Sequence, residues 1–137
     1  MTKNYTHGGN VTHPTLLPLL QQTKSVYLIW YGYYHVLPKI HRFSLGQRID
    51  NLLIEIMEAI AAAGFLSRAE KQPYVRLAIR KTDTLKVLLL ALWETKSIDS
   101  KKYIAISLKI DELGRRLGGW NGQLIKQNSP NIKSGEK

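Results

Sequence analysis

The sequence predicts an all-α protein, an antiparallel up-down four-helix bundle, from three observations. Apolar residues recur at three- and four-residue steps in four separate segments, which is the spacing of one face of a helix. Short connections with capping or helix-breaking residues separate these segments, and short connections favour antiparallel neighbours. No alternation of strands with helices and no internal repeat indicates another architecture.

The first helix is predicted to begin near Thr15, with Pro18 in its first turn, where a missing N–H group breaks no intrahelical hydrogen bond. Its apolar stripe consists of Leu16, Leu20, Thr23, Tyr27, Trp30, Tyr34 and Leu37. Tyr31 and Tyr33 make the second half unusually aromatic. Two interpretations are open for these rings: they fill the bundle core, or some of them stack on nucleobases or on a partner.

A basic turn follows at residues 38–43 and contains no acidic residue. Ser44 and Gln47 have the spacing of a capping box, so the second helix is predicted to begin there. Gly64 is its predicted C-terminal cap. The apolar stripe of this helix consists of Leu45, Ile49, Leu52, Ile56, Ala59 and Ala63.

The third helix has two possible starts. Ser67 and Glu70 also have capping-box spacing, but a helix that begins there holds Pro73 in its interior, at a cost of about 3 kcal/mol. Because this cost exceeds the contribution of a cap, we predict a start near Gln72. Lys81 lies within the stripe and either extends outward at its edge or faces a hydrated cavity or an interface. The stripe consists of Tyr74, Ala78, Lys81, Leu85, Leu88 and Leu92.

The fourth helix is predicted to follow the polar residues 97–100, whose short side chains can accept hydrogen bonds from its first N–H groups. Its apolar stripe consists of Tyr103, Ile106, Ile110, Leu113, Leu117 and Trp120.

Glycines recur on one face of this last helix. Gly114, Gly118 and Gly122 are four residues apart, so another backbone can approach closely along their face. In the alternative interpretation, Gly118 and Gly119 simply end the helix. Trp120 continues the apolar stripe, which favours a helix that extends beyond the glycines.

The chain has 137 residues, 44% of them hydrophobic, which is sufficient for one domain with its own core. We predict a helical domain over residues 15–127, between a flexible tail of residues 1–14 and a disordered tail of residues 128–137.

Composition limits the classes of function. Twenty Lys and Arg residues stand against ten Asp and Glu residues, a net charge of +10, so nucleic acid is the expected partner. The chain contains no cysteine, which excludes disulfides, thiolate metal sites and a cysteine nucleophile. No apolar run approaches the roughly 18 residues that a membrane span needs. We expect a soluble cytoplasmic protein with no membrane partner.

No catalytic or metal-binding pattern occurs in the sequence. The histidines lie near the N-terminus or around a turn, without acids nearby to complete a ligand set. The glycine clusters lack the strand and lysine of a phosphate-binding loop. We therefore predict no enzyme activity, no metal and no cofactor. An enzyme that uses an aromatic groove of Tyr27, Trp30 and Tyr34 is the least favoured possibility.

The basic residues are ordered along the predicted helices. Arg76 and Arg80 lie one turn apart opposite the leucine stripe, Lys86 lies farther round the same helix, and Asp83 is the only acid close to the three; three cations on the last helix are spaced by seven. Phosphate contacts from such residues give affinity without sequence readout; in the alternative, they are ordinary solvated faces. The predicted nucleic-acid-binding residues are Lys39, Arg42, Arg48, Arg76, Arg80, Lys86, Lys102, Lys109 and Arg116.

Two stretches of the chain resemble a known family. The first is TDTLKVLLLALWETKSIDSKKYIAISLKIDELGRRLGGW, from Thr82 to Trp120, in which the glycine-tryptophan ending is the more specific part. The second is LPK, from Leu37, with RFSLGQR, from Arg42, which is similar to the family's turn between its first two helices. On these residues the chain resembles, over about residues 15–127, the Avd-like four-helix-bundle family, accessory variability determinants of diversity-generating retroelements. Bundle proteins encoded in rRNA intervening sequences are a related group.

The resemblance implies a barrel-like homopentamer of four-helix subunits with a basic surface. It also implies a non-catalytic accessory protein that binds the retroelement's reverse transcriptase and its template RNA and supports mutagenic cDNA synthesis. RNA, DNA and their hybrid all remain open as the natural ligand. The alternative from the residues alone is a structural interaction scaffold whose basic faces contact acidic protein partners.

Overall fold

The computed structural model describes residues 16–129, and within this range every regular element is helical. The predicted tail of residues 1–14 and most of the predicted tail of residues 128–137 lie outside the described residues. The elements are α1 (Leu16–Tyr34), α2 (Lys39–Arg42), α3 (Leu45–Gly64), α4 (Arg68–Glu94) and α5 (Ser100–Gln127). The all-helical prediction is confirmed for this range, in which four long helices and one short helix form a helical bundle.

The core lies between the four long helices. α1 packs against α3 and α5, and α4 packs against α3 and α5. Each long helix contributes fully buried side chains, such as Trp30, Ile56, Leu85 and Leu117. Burial of an apolar side chain of this size contributes about 1.5–3 kcal/mol, which explains why the apolar stripes determine how the helices pack.

The stripe predicted for α1 is confirmed only in part. Trp30 is fully buried, but Tyr27 and Tyr34 are only partly buried, and Leu19 and Val26 complete the buried face. The core-facing side of α1 is therefore rotated slightly from the prediction, which places the tyrosines at its border.

The basic turn contains a short helix that the sequence did not predict. The Pro38 carbonyl accepts hydrogen bonds from the N–H groups of His41 at 3.0 Å and Arg42 at 3.1 Å. α3 begins at Leu45, close to the predicted start, but the predicted capping box is wrong: the Ser44 hydroxyl makes no cap hydrogen bond and donates to the Ile40 carbonyl at 3.2 Å.

Gly64 is the last residue of α3 rather than its predicted C-terminal cap, which is Phe65, and no described glycine has a positive φ. A Cβ atom at position 64 would lie 2.5 Å from Cδ2 of Leu16. The glycine thus allows the start of α1 to pack closely on the end of α3.

The predicted start of α4 near Gln72 is wrong. The helix begins at Arg68 after Ser67, whose N–H donates to Oε1 of Glu70 at 3.3 Å, and it contains Pro73. Pro73 is the sixth residue of the helix and leaves the carbonyl of Ala69 without its intrahelical donor, but Ala69 is exposed, so water can satisfy that carbonyl. The helix thus starts at the capping box of Ser67 and Glu70 and contains the proline.

A buried lysine further links the start of α4 to α3. Lys71 is 6% exposed, and its ammonium group donates to the Ala63 carbonyl at 2.7 Å. Burial lowers the pKa of Lys71. Because Ala63 lies in the last turn of α3, the cation interacts favourably with the negative end of the helix dipole.

The buried face of α4 includes residues on both sides of the predicted stripe. Lys81 and Leu88 are partly buried, and Tyr74 is exposed. The buried residues of α4 are Lys71, Val75, Ala78, Thr82, Leu85, Leu89 and Leu92.

α5 begins as predicted after residues 97–100, since Asp99 accepts a hydrogen bond from the N–H group of Lys102 at 2.8 Å. Its predicted stripe is buried from Ile106 to Trp120, Tyr103 is only partly buried, and Leu124 extends the buried face by one more turn. The helix continues to Gln127, so the interpretation in which Gly118 and Gly119 end it is wrong. No described side chain, and no backbone of another element, comes within 4 Å of a Cβ atom placed at Gly118 or Gly122.

Candidate nucleic-acid interface

The nine predicted cations lie in three parts of the bundle. Arg48 and Lys86 form ion pairs, and the other seven form none with a described residue. The first group, around the α1–α3 connection, is Lys39, Arg42 and Arg48; the second, on α4, is Arg76, Arg80 and Lys86; the third, on α5, is Lys102, Lys109 and Arg116.

Arg76 and Arg80 form the simplest group. Both are exposed and lie one turn apart on α4, and the three residues between them, Leu77, Ala78 and Ile79, belong to the core or pack against it. The predicted position opposite the buried stripe is confirmed. Two guanidinium groups without acidic partners in the described chain can each form bidentate hydrogen bonds with a phosphate.

Lys86 differs from its neighbours because it points toward α5. Its Nζ lies 3.4 Å from Oδ1 of Asp111 and 3.6 Å from a Cβ atom placed at Gly114. The partner of Lys86 is therefore an acid on the next helix rather than Asp83, the acid that the sequence indicated. Its charge is partly compensated, so it contributes less to a phosphate site than an unpaired cation.

The three cations on α5 lie along its other side. The ammonium group of Lys102 lies 5.4 Å from the centre of the Tyr33 ring on α1, a cation–π contact. Burial, and then the charge of Asp99, raise the pKa of Tyr33. Lys109 and Arg116 are exposed. Because Asp111 faces α4 and Lys102 faces α1, the α5 cations and Lys86 lie on different sides of α5.

The guanidinium group of Arg42, in the first group, is only partly available to a ligand. Its Nη2 donates to the Leu37 carbonyl at 3.0 Å, and its buried Nε has no hydrogen-bond partner among the described residues. Lys39 is exposed, and Nη1 of Arg48 lies 3.6 Å from Oε1 of Glu55. Lys39 is thus the exposed cation of this group that has no ion pair with a described residue, and Arg42 is the most constrained.

An aromatic groove of about 460 Å³ opens next to Arg42. Trp30, which the sequence suggested as part of it, does not line it: its indole N–H donates to Oδ1 of Asp50 at 3.2 Å, and the ring is fully buried. Burial, and then the Asp50 carboxylate, raise the pKa of Tyr27 to about 12. The residues that line the groove are Tyr27, Tyr31, Tyr34, His35, Arg42, Phe43 and Asp50.

Sequence reasoning did not select two of the residues that belong to these sites. Arg115 is exposed and lines a groove of about 310 Å³ between α4 and α5 with Lys86 and Asp111. The seven-residue spacing led to Arg116 and left its neighbour out. Phe43 lies in the predicted basic turn, where an aromatic residue among cations is a sequence signal that could have indicated the groove.

The histidines make local contacts. Nδ1 of His35 is 2.9 Å from the Tyr31 carbonyl, and Nδ1 of His41 is 2.5 Å from Oγ of Ser97.

Among residues 16–129, no group of three or more His, Cys, Asp or Glu residues is placed to hold a metal ion. None of the helices in this range combines the length and apolar character needed to cross a membrane. Comparison with protein-family models, curated proteins and solved structures finds no match for the chain.

Proposed function

We propose that this chain is a non-catalytic, basic nucleic-acid-binding accessory protein of a diversity-generating retroelement. It binds the template RNA and the reverse transcriptase, which supplies the polymerase chemistry for mutagenic cDNA synthesis. The observation that carries the proposal is unpaired positive charge: the chain has a net charge of +10, and seven of the nine mapped cations have no acidic partner among residues 16–129. Neutralising these cations with a polyanion removes their mutual repulsion and releases counterions from the nucleic acid.

The spacing of the α5 cations suits an extended phosphate backbone. Lys102 and Arg116 are two seven-residue steps apart on a continuous helix, which corresponds to about 21 Å at 1.5 Å per residue. One strand of a nucleic acid carries a phosphate about every 3.4 Å along the axis. The stripe is therefore long enough to lie along about six phosphates, and Arg76 and Arg80 provide a second contact on α4.

We further propose that the helices form an antiparallel up-down bundle and that the subunits assemble as a homopentamer. The order of contacts supports the bundle: Leu16 meets Gly64, whereas Trp30 meets Asp50. Large aliphatic side chains on the outside of α4 and α5 support assembly, since a second subunit could cover them. They are Val87, Leu90, Ile104 and Leu108. Equilibrium sedimentation tests assembly, and a stable monomer would contradict it.

Binding of a fluorescent single-stranded RNA to the purified chain tests the proposal. The double substitution Arg76→Glu and Arg80→Glu should weaken binding by about tenfold or more at 100 mM salt, because it replaces two phosphate contacts with two repulsions. The matched control is Lys24→Glu with Lys126→Glu, which changes the net charge equally at two exposed positions outside the three groups. An equal loss in both variants would assign the effect to net charge and remove Arg76 and Arg80 from the site.

Separate observations test the retroelement role and the scaffold alternative. A reverse-transcriptase reading frame and paired template and variable repeats beside the gene would support the retroelement role, and purified reverse transcriptase should then bind the chain. An acidic polypeptide such as polyglutamate tests the scaffold alternative at the same salt concentration. If it binds as tightly as RNA does, the interaction scaffold for acidic proteins becomes the better account.

A further inference from the structure

The aromatic groove lies where three elements meet. Tyr31 comes from α1, Arg42 ends α2, Phe43 follows directly after α2, and Asp50 lies in the second turn of α3. Its volume of about 460 Å³ falls within the usual range of small-molecule sites, about 300–1,000 Å³. The groove is therefore large enough for a single planar ring system with its substituents.

Two of its aromatic rings are left exposed by the described chain. Phe43 is 71% exposed and Tyr31 is 49% exposed, although both line the groove. Tyr31 is held by Tyr27 on α1, at 6.3 Å between ring centres, and by His35, which directly follows α1, at 4.3 Å. An aromatic ligand that covers these rings would bury apolar area and gain stacking energy.

A hydrogen-bond donor and a hydrogen-bond acceptor lie beside the rings. Arg42 supplies a guanidinium group, and its Nε is buried without a partner among residues 16–129. Asp50 supplies a carboxylate, of which Oδ1 already accepts from Trp30. Donor and acceptor groups beside exposed rings match a nucleobase, which has two apolar faces and an edge with both donors and acceptors.

We propose that this groove binds one unpaired base of a single-stranded RNA, which stacks against Tyr31 and Phe43 while Arg42 and the exposed Lys39 lie near the adjoining phosphate. This inference rests on the proposed function and names the part of the RNA that is bound. Paired bases are stacked inside a helix and cannot cover the rings, so the groove selects single strands over duplexes. The basic turn contains no acidic residue at positions 38–43, which favours a phosphate-bearing ligand over an uncharged aromatic one.

Two phenylalanines provide a matched test. Phe43 and Phe65 are both exposed, at 71% and 83%, and each directly follows a helix, but only Phe43 lines the groove. The probes are an unstructured RNA of about 20 nucleotides, within reach of typical single-strand site sizes, and a duplex RNA of the same length. Phe43→Ala should weaken single-strand binding about tenfold, within the range reported for loss of base stacking. It should leave duplex binding and the salt dependence unchanged, and Phe65→Ala should change none of these.

A second measurement separates base stacking at position 43 from other effects of the substitution on RNA binding. A 2-aminopurine base in the single strand should lose fluorescence on binding to the wild-type chain, lose less with Phe43→Leu, and be restored to wild-type quenching by Phe43→Trp. The inference is overturned if Phe43→Ala and Phe65→Ala bind the single strand equally, or if duplex binding falls as much as single-strand binding. If either of these results is found while the wild-type chain still binds RNA with a steep salt dependence, only the inference about the groove fails. If the wild-type chain binds no RNA, the proposed function fails as well.

Discussion

The ammonium group of Lys81 lies 2.9 Å from Oε1 of Glu55, across the contact between α4 and α3. Their side chains are 24% and 35% exposed, and the same carboxylate oxygen is 3.6 Å from Nη1 of Arg48. One acid thus compensates two cations at the edge of the core. Lys81, the exception in the apolar stripe of α4, lies at the border of that stripe rather than in its centre.

Removing the shared acid should cost more than removing the lysine. Glu55→Ala leaves two cations close together, one of them half-buried, and should lower the free energy of unfolding by about 1–2 kcal/mol. Lys81→Met keeps the packing and should cost less than about 1 kcal/mol. Urea denaturation of both variants and of the double variant measures the coupling. If the two losses simply add, the pair makes no specific contribution.

Gly46 and Gly118 should respond in opposite ways to alanine. A Cβ atom at position 46 would lie 2.8 Å from the His41 carbonyl oxygen and 2.7 Å from Cδ1 of Leu37, and the carbonyl cannot move without displacing α2. We expect Gly46→Ala to destabilise the protein by about 1–3 kcal/mol. Gly118→Ala should stabilise the isolated subunit by about 0.5–1 kcal/mol through helix propensity. Thermal unfolding that ranks the two variants in the reverse order would contradict this account of Gly46.

Gly118→Ala also tests the interpretation of the glycine face. If another subunit's backbone approaches along Gly118 and Gly122, the added methyl group should weaken assembly even while it stabilises the helix. Sedimentation of this variant beside the wild-type chain separates the two effects. Unchanged assembly would place the subunit contact elsewhere.

Lys96 has a backbone conformation that favours glycine, with φ of 65°. The Lys96 N–H donates to the Trp93 carbonyl at 2.8 Å and the Ser97 N–H donates to the Leu92 carbonyl at 3.0 Å, the pattern that ends a helix with a left-handed residue. Lys96→Gly should therefore raise the free energy of unfolding by about 1 kcal/mol. Glu112→Gly, an exposed position inside α5, is the control and should lower it by about 1 kcal/mol. Equal destabilisation by both substitutions would exclude relief of strain at position 96.

Lys71 predicts a pH dependence of stability. Burial lowers its pKa in the folded state, so at pH values between that lowered pKa and about 10.4 the unfolded chain binds more protons than the folded chain. Stability contributed through Lys71 must then rise with pH over this window. The difference in unfolding free energy between the wild type and Lys71→Met should shift in favour of the wild type as the pH rises from 7 toward 10. A difference that is constant with pH would contradict a desolvated ammonium group.

The four long helices could be predicted because their apolar stripes follow the helical period, and the boundaries failed where two local effects compete. At Pro73 the general penalty for proline outweighs the Ser67 cap in the prediction, but the carbonyl that loses its donor belongs to the exposed Ala69 and can bond to water, and the capping box sets the start of the helix. At Ser44 the capping-box spacing was present, yet the hydroxyl bonds to Ile40 instead. Spacing alone does not determine which nearby carbonyl or N–H group a serine reaches.

The exposure of most candidate cations could be predicted from the sequence, but their arrangement could not. The exposure of Arg76 and Arg80 follows from their position opposite the stripe. The pairing of Lys86 with Asp111 depends on how α4 and α5 pack, and sequence spacing within one helix contains no such information. The groove next to Phe43 likewise depends on how the short α2 lies between α1 and α3, since α2 itself was read as a turn.

The salt dependence of RNA binding tests the central claim most directly, because it counts the phosphates that the cations neutralise. Affinity for a single-stranded RNA should be measured by fluorescence anisotropy from 50 to 200 mM salt. If about six to ten phosphates are neutralised, the affinity falls by about 10³- to 10⁵-fold over this range. A fall of less than about tenfold would contradict the claim that the unpaired lysines and arginines of this bundle bind a nucleic-acid backbone.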